Sequence, residues 1–311
     1  MNATPALQAR ALTKRFAGRT VVDGLDFAVR PGTITGFLGA NGAGKSTTMR
    51  LFMGLDRPTA GAALIGGQRI DQWPVPGKKI GAALSNRCAH PGRTALDSLR
   101  WIALLLGLPE RRCHEELDRV GLGDAARRRT GEFSFGMRQR LALAQAMLGD
   151  PEILLLDEPM NGLDPQGIDW LRELLTGLRE RGRTVLMASH LLREIEDLVD
   201  DLVIIDQGRI VGTGSVREFL DRFERETVTV RCEDVHTLVG AVLAAGGQLL
   251  GAARGDRVSI VGLAAREIGR LARDRGLSIE EMTTERRLET AYHAATGGEV
   301  PGRPAPEEVR S

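Results

Sequence analysis

The run Gly39-Ala40-Asn41-Gly42-Ala43-Gly44-Lys45-Ser46-Thr47 gathers the groups needed to hold a polyphosphate. Glycines keep Cβ atoms out of the way, so successive backbone N–H groups can curl around phosphate oxygens. Lys45 offers a point charge to β- and γ-phosphates, and the Ser46 hydroxyl can ligate Mg²⁺. A helix opening at Lys45 adds the positive end of its dipole. The alternative is an ordinary glycine turn. The apolar run Ile34 to Leu38 before it and the helical pattern to about Leu55 after it weigh against that. By itself the loop indicates only a nucleoside triphosphate.

A second acidic signal follows the continuous apolar run Ile153-Leu154-Leu155-Leu156, where Asp157 and Glu158 stand side by side. A carboxylate at the end of a buried strand can hold the Mg²⁺ shell, the role that falls to Asp157. Glu158 then stands where it could orient and polarise an attacking water. Adjacent acids also open loops and cap helices, and from these residues alone both uses stay open.

Such groups need rigid elements beneath them. Alternation through Leu7, Ala9 and Ala11, and around Val22, Leu25, Phe27 and Val29, predicts two half-exposed strands. The segment from about Leu84 to Asp150 reads as mostly helical, with an amphipathic helix from Gly136 to Leu148. Asp164 followed by Pro165 predicts an N-cap and first helical residue, opening a helix to about Arg181. Thr184 to Ser189 and Leu202 to Ile205 read as strands, with a helix over Leu191 to Val199 between them. Strands alternating with helices predict an α/β layer around a mainly parallel sheet. From about Ser215 the pattern changes to strands at Thr227 to Arg231 and Arg257 to Val261, with helices at Val235 to Ala245 and Ala264 to Arg275.

Composition narrows the class. The 311 residues are 42% apolar and 27% charged, and 42 Lys and Arg oppose 41 Asp and Glu. No net field draws such a chain to nucleic acid. The cysteines Cys88, Cys113 and Cys232 are scattered, without metal or disulfide spacing. The longest apolar stretch, Trp101 to Leu108, is far short of a membrane span, and the N-terminus lacks a secretory signal pattern. The expectation is a protein that stays inside the cell and meets a membrane only through a partner.

Order and spacing add a family. Over about residues 5–215 the sequence resembles the ABC (ATP-binding cassette) ATPases. Gly39 to Ser46 match the Walker A loop, and Ile153 to Glu158 match Walker B with its catalytic glutamate. Phe133 to Arg140 resemble the ABC signature, Asn161 to Asp164 the D-loop, and Ala188 to His190 the switch histidine. The resemblance implies a P-loop NTPase of ABC type: an α/β domain over 5–215, with an antiparallel β subdomain and a helical subdomain at about 84–150. A small α+β accessory domain at 216–296 and a disordered tail at 297–311 complete the expectation.

The resemblance also assigns roles. ATP, with Mg²⁺, is bound between two copies, by Gly39, Ala40, Asn41, Gly42, Ala43, Gly44, Lys45, Ser46 and Thr47 of one and by Ser134 and Gly136 of the other, with Asp164 close by. Glu158 and His190 are the catalytic pair, and Ser46 and Asp157 the metal ligands. Phe16 stands where the family stacks an aromatic on adenine, its alternative being a core phenylalanine. Two positions depart from the pattern. Phe135 occupies a signature glycine position, and Ser85 stands where a Gln or Glu usually touches Mg²⁺. Cys88, His90 and Arg93 fall in the loop expected to face a membrane partner.

The implied function is a homodimeric ATPase subunit, cytoplasmic and peripheral on the inner face of the cell membrane. It would power export of a drug, antibiotic or lipid-like compound through a separate integral membrane permease. Rival readings are a soluble ABC ATPase acting on ribosomes or DNA, and a regulatory nucleotide-binding module with little turnover.

Overall fold

The computed structural model describes residues 4–85, 89–190, 192–223, 227–250, 253, 255–285 and 292. Contacts divide the chain into two units, Met1–Ser215 and Val216–Ser311. The tail at 297–311 lies outside the described residues, as does Cys88.

In the first unit the alternating N-terminal segment folds as β1 (Leu7–Phe16) and β2 (Arg19–Val29), an antiparallel pair. Their inward side chains, among them Leu7, Ala9, Val22, Leu25 and Phe27, are buried. The alternation read through Ala11 breaks there. Ala11 is exposed at φ 44°, its N–H donates to Asp26 Oδ1 at 2.9 Å, and Leu12 takes the inward place beyond a register shift. A bulge of this kind lets one strand bend without losing its apolar face.

After β2 come β3 (Ile34–Leu38), the glycine loop, α1 (Lys45–Phe52) and β4 (Ala60–Ile65), which pairs with the free edge of β1. The chain continues through α2 (Pro76–Lys79), β5 (Ile80–Ala83), α3 (Ala95–Leu106), α4 (Arg111–Arg119) and α5 (Phe135–Met147). It closes with β6 (Ile153–Asp157), α6 (Pro165–Glu180), β7 (Thr184–Ser189), α7 (Leu192–Ile195), β8 (Asp201–Asp206) and β9 (Arg209–Ser215). The larger sheet has the order β5-β6-β7-β3-β8-β9, parallel except for β9. Its central strands β3 and β7 are buried along their whole length, as continuous apolar runs in parallel sheets require.

Two helices differ from the sequence reading. The helix expected to be amphipathic, α5, buries Gln139, Leu141, Ala142, Leu143, Ala144, Ala146 and Met147. It lies under β5 and against α3 and α4, so neighbours cover it on several sides and its small residues serve close packing. The helix expected to reach Val199 ends at Ile195, where the Ile195 carbonyl accepts from both Leu198 and Val199. By contrast α6 begins as its cap predicts, with Asp164 Oδ1 accepting from the Gly167 N–H at 2.8 Å and Pro165 as first residue.

The second unit carries α8 (Val216–Phe223), β10 (Thr227–Cys232), α9 (Val235–Ala244), β11 (Gln248–Leu249), β12 (Arg257–Val261), α10 (Ala265–Asp274) and β13 (Ile279–Glu285). Its antiparallel sheet, ordered β11-β12-β10-β13, shares a core with α9 and α10 through Val228, Val230, Ile260, Leu238, Val242 and Ile268. Among the described residues of both units, no helix is long and apolar enough to cross a membrane.

Leu155 is fully buried at the middle of β6, between β5 and β7. Leu155→Ala removes buried methyl groups and leaves a cavity, which costs about 3 kcal/mol in such settings. Urea unfolding of the variant is expected to show a clearly lower midpoint.

Candidate active site

Three parallel strands deliver the candidate residues to one edge of the sheet. In the register of β6, β7 and β3, Asp157 lies beside Ala188, and Ser189 beside Leu38. The glycine loop after β3, Glu158 after β6 and His190 after β7 therefore leave the sheet together, at the carboxyl ends where α/β folds place ligands. Residues more than a hundred positions apart in sequence become neighbours for this reason alone.

The loop closes on Gly44, whose φ of 109° and close approach to the Val21 carbonyl exclude a side chain. Lys45 follows, only 6% exposed. Its Nζ donates to the Gly39 carbonyl at 2.6 Å and to the Ala40 carbonyl at 3.3 Å, and lies 3.6 Å from Glu158 Oε1. The other Glu158 oxygen lies 2.8 Å from His190 Nδ1. An ionised carboxylate can only accept, so His190 donates from Nδ1. Glu158 itself sits at φ 50°, a left-handed conformation that costs a non-glycine residue of order 1–3 kcal/mol. Its N–H donates to the Ala188 carbonyl at 3.0 Å, and its own carbonyl accepts from Asn161 at 3.2 Å. This turn swings the side chain off the strand and into a cleft.

The cleft has a volume of about 370 Å³ and is lined by Ala40 to Gly42, Gly44 to Thr47, Asp157 and Glu158. Leu84 and Ser85 reach it from the end of β5, so the serine at the Gln/Glu position is brought to the cleft. Val21, Phe135, Gln139 and Asn161 complete the wall and were not expected as a group. Gln139 stands one helical turn after Phe135, and Asn161 opens the loop matched to the D-loop, so periodicity and adjacency were the available signals. A second cavity of about 450 Å³ lies against Ala40 to Ala43 and is walled by Arg19, Thr20, Asp206 and Gln207.

Asp157 is half-buried, and that burial pushes its carboxyl above the ordinary aspartate range, against a hydrogen bond from Ser46. Its Oδ1 has no hydrogen-bond partner. A hydroxyl and an unpartnered carboxylate oxygen thus belong to two residues that line the cleft, and such hard oxygen donors fit Mg²⁺. Among the described residues there is no group of three or more His, Cys, Asp or Glu that could cage a metal by itself.

Other expected residues lie elsewhere. Phe16 is 43% exposed at the end of β1 with Lys14 Nζ 4.7 Å above its ring, and lines neither cavity. Its alternative as a core phenylalanine is excluded by that exposure. Ser134 caps α5, its Oγ accepting from the Met137 N–H at 3.2 Å, and the Asp164 carboxylate caps α6. Within one chain neither Ser134, Gly136 nor Asp164 lines the cleft. His90 and Arg93 are tied to the Thr130 segment: the Thr130 hydroxyl donates to the His90 carbonyl and the Thr130 N–H to the Arg93 carbonyl, each at 2.9 Å.

Comparison with known proteins decides what this cleft belongs to. The family described as ABC transporter matches residues 22–161. The ABC transporter ATP-binding protein YhcH of Bacillus subtilis (strain 168) is 40% identical over 215 residues, covering 68% of this chain and 70% of that one. This chain belongs to the ABC transporter ATP-binding proteins. The bacitracin transport ATP-binding protein of Bacillus licheniformis is 41% identical over 204 residues, 64% of this chain and 66% of the relative. The solved structure of an ATP-binding subunit of an ABC transporter superposes with a TM-score of 0.64 at 28% identity, over 70% of this chain and 93% of that one. The expected α/β fold of ABC type is borne out. As an ABC ATP-binding subunit, the protein binds ATP and hydrolyses it.

The raised Asp157 carboxyl has a consequence for stability. Its folded form holds the proton more tightly than the unfolded chain, so its contribution is full at low pH and is lost as pH rises through the folded value. Asp157→Asn is expected to raise the melting temperature at neutral pH. The gain should shrink as pH falls through the folded value and be gone below the ordinary aspartate range. Calorimetry across pH, without nucleotide, measures it.

Proposed function

We propose that this chain is the ATPase subunit of an exporter and drives a separate integral membrane permease from the cytoplasmic face. The observation that carries the reading is the linked set Lys45–Glu158–His190 beside the glycine loop. On binding, the phosphates compete with the Gly39 and Ala40 carbonyls and Glu158 for the Lys45 ammonium. That releases Glu158 Oε1 to accept a proton from water, while His190 holds the other carboxylate oxygen and fixes the aim of the group. Loop N–H groups and the start of α1 take up negative charge on the phosphates. Ser46 and Asp157 would hold Mg²⁺, which when bound neutralises charge on the β- and γ-phosphates.

A single chain leaves Ser134 and Gly136 outside the cleft. The backbone at the start of α5 is itself suited to a phosphate, as a helix N-terminus with a hydroxyl beside it. The reading therefore includes a homodimer in which the Ser134 turn of one copy faces the glycine loop of the other. Likeness to a bacitracin transport protein supports outward movement of an antibiotic-type compound.

In Glu158→Gln the amide cannot take the proton, so ATP binding is retained while steady-state hydrolysis falls at least about 100-fold. ATP should then hold the variant as a dimer in size-exclusion chromatography. Hydrolysis at the wild-type rate in this variant would remove Glu158 from the mechanism.

A further inference from the structure

Phe135 stands where the sequence pattern leads one to expect glycine, and its surroundings give the ring a task. It is 41% exposed, and one part of it lines the cleft together with Lys45, Glu158 and Asn161. Another part lies on Gly162, so closely that a Cβ on that glycine would come within 2.2 Å of the Phe135 ring. Gly162 also has φ 71°, so both its conformation and its cover demand glycine. Next to the ring, a Cβ on Gly136 would lie 3.7 Å from both the Gly162 carbonyl and Leu163 Cδ2. The start of α5 therefore presses on the loop that leaves Glu158.

From Glu158 to Leu163 the backbone is tied by the Glu158 N–H to the Ala188 carbonyl at 3.0 Å and by two short turns, Asn161 N–H to the Glu158 carbonyl and Leu163 N–H to the Met160 carbonyl, each at 3.2 Å. Glu158 is itself in a left-handed conformation, which persists only where its surroundings enforce it. Asn161 is bound to Glu158 on one side and adjoins Gly162 on the other. A ring laid on Gly162 thus restricts the turn that sets the direction of the Glu158 side chain.

We propose that Phe135 is a positioning residue for ATP hydrolysis: by packing on Gly162 it fixes the turn that carries Glu158. It need not touch the nucleotide to do so. The inference rests on the reading of Glu158 as the base.

The test compares Phe135→Gly, Phe135→Leu, Glu158→Gln and the double variant Phe135→Gly/Glu158→Gln, as purified full-length chains, by ATP turnover and by binding of a non-hydrolysable ATP analogue. Phe135→Gly should lose about tenfold in kcat, with KM and analogue affinity within about threefold of wild type. Loss confined to kcat is the mark of an interaction that matters in the transition state. Phe135→Leu, which keeps apolar cover on Gly162, should recover most of that rate. In the Glu158→Gln background, removal of the ring should change the residual rate by less than twofold, because groups that act as a unit are not additive.

A Phe135→Gly enzyme with unchanged kcat overturns the proposal. So does a rise in KM at constant kcat, which would make the ring a binding wall, or a full further tenfold loss in the double variant. Should Phe135→Gly fail to fold, Phe135→Ala, which keeps helix propensity but removes the ring from Gly162, carries the same comparison: a loss in kcat at constant KM supports the proposal and an unchanged kcat overturns it. Failure of the Glu158 reading is separable: Glu158→Gln would then turn over normally whatever Phe135 does.

Discussion

The site is organised around one buried cation. An ammonium group nine-tenths out of water is costly unless its protons are met locally, and the start of a helix, with its positive dipole end, makes the position worse. Lys45 meets the requirement with the Gly39 and Ala40 carbonyls and the Glu158 carboxylate. Two of those groups belong to the loop after β3 and the third to the end of β6. The cation therefore ties the ends of two strands that β7 separates, and His190 at the end of β7 closes the set through Glu158. Buried strands underneath keep those ends at fixed spacing. Loop conformation, strand register and the contacts of three side chains form one constraint.

The same constraint explains why so much of the site was legible. A glycine loop with Lys and Ser, an apolar strand ending in two acids, and Asp164-Pro165 opening a helix each have a local cause. Local causes survive folding. What could not be read was set by neighbours. Strand β4 is built from Ala60-Gly61-Ala62-Ala63-Leu64-Ile65, whose small residues carry little strand signal and pair only because β1 offers an edge. At the edge of the second sheet, β13 carries Glu280 and Glu281, which look like loop residues until paired with Arg231 and Arg257. The bulge at Ala11 and the wide burial of α5 likewise depend on contacts that no window of sequence contains.

The cleft wall shows the limit most clearly. Val21, Gln139 and Asn161 come from three separate segments, and none has a side chain whose chemistry singles it out. Val21 is brought in by the pairing of β2, Gln139 by the seat of α5, and Asn161 by the turn after Glu158. Spacing in sequence has no access to these three placements at once. Phe135 is a different case. Its identity was conspicuous in the sequence, but what it does depends on Gly162, a residue in another element, so the type was legible and the task was not.

Two features at the strand ends work against stability: the left-handed backbone of Glu158 and the half-buried carboxylate of Asp157. Neither could persist on a mobile loop, because the chain would relax by exposing the carboxylate and letting the turn unwind. Here β5 and β7 flank β6, and the buried Leu154, Leu155 and Leu156 hold the strand up to its last residue. A carboxylate kept in a poor environment gains more than a solvated one when a cation reaches it, since the desolvation has already been met by folding. Binding to the folded form alone then returns stability in proportion to occupancy, about 2.7 kcal/mol at a hundredfold excess over Kd. The core thus supplies in advance what the site recovers only when loaded, and the coupling between nucleotide and the order of this edge follows from that asymmetry.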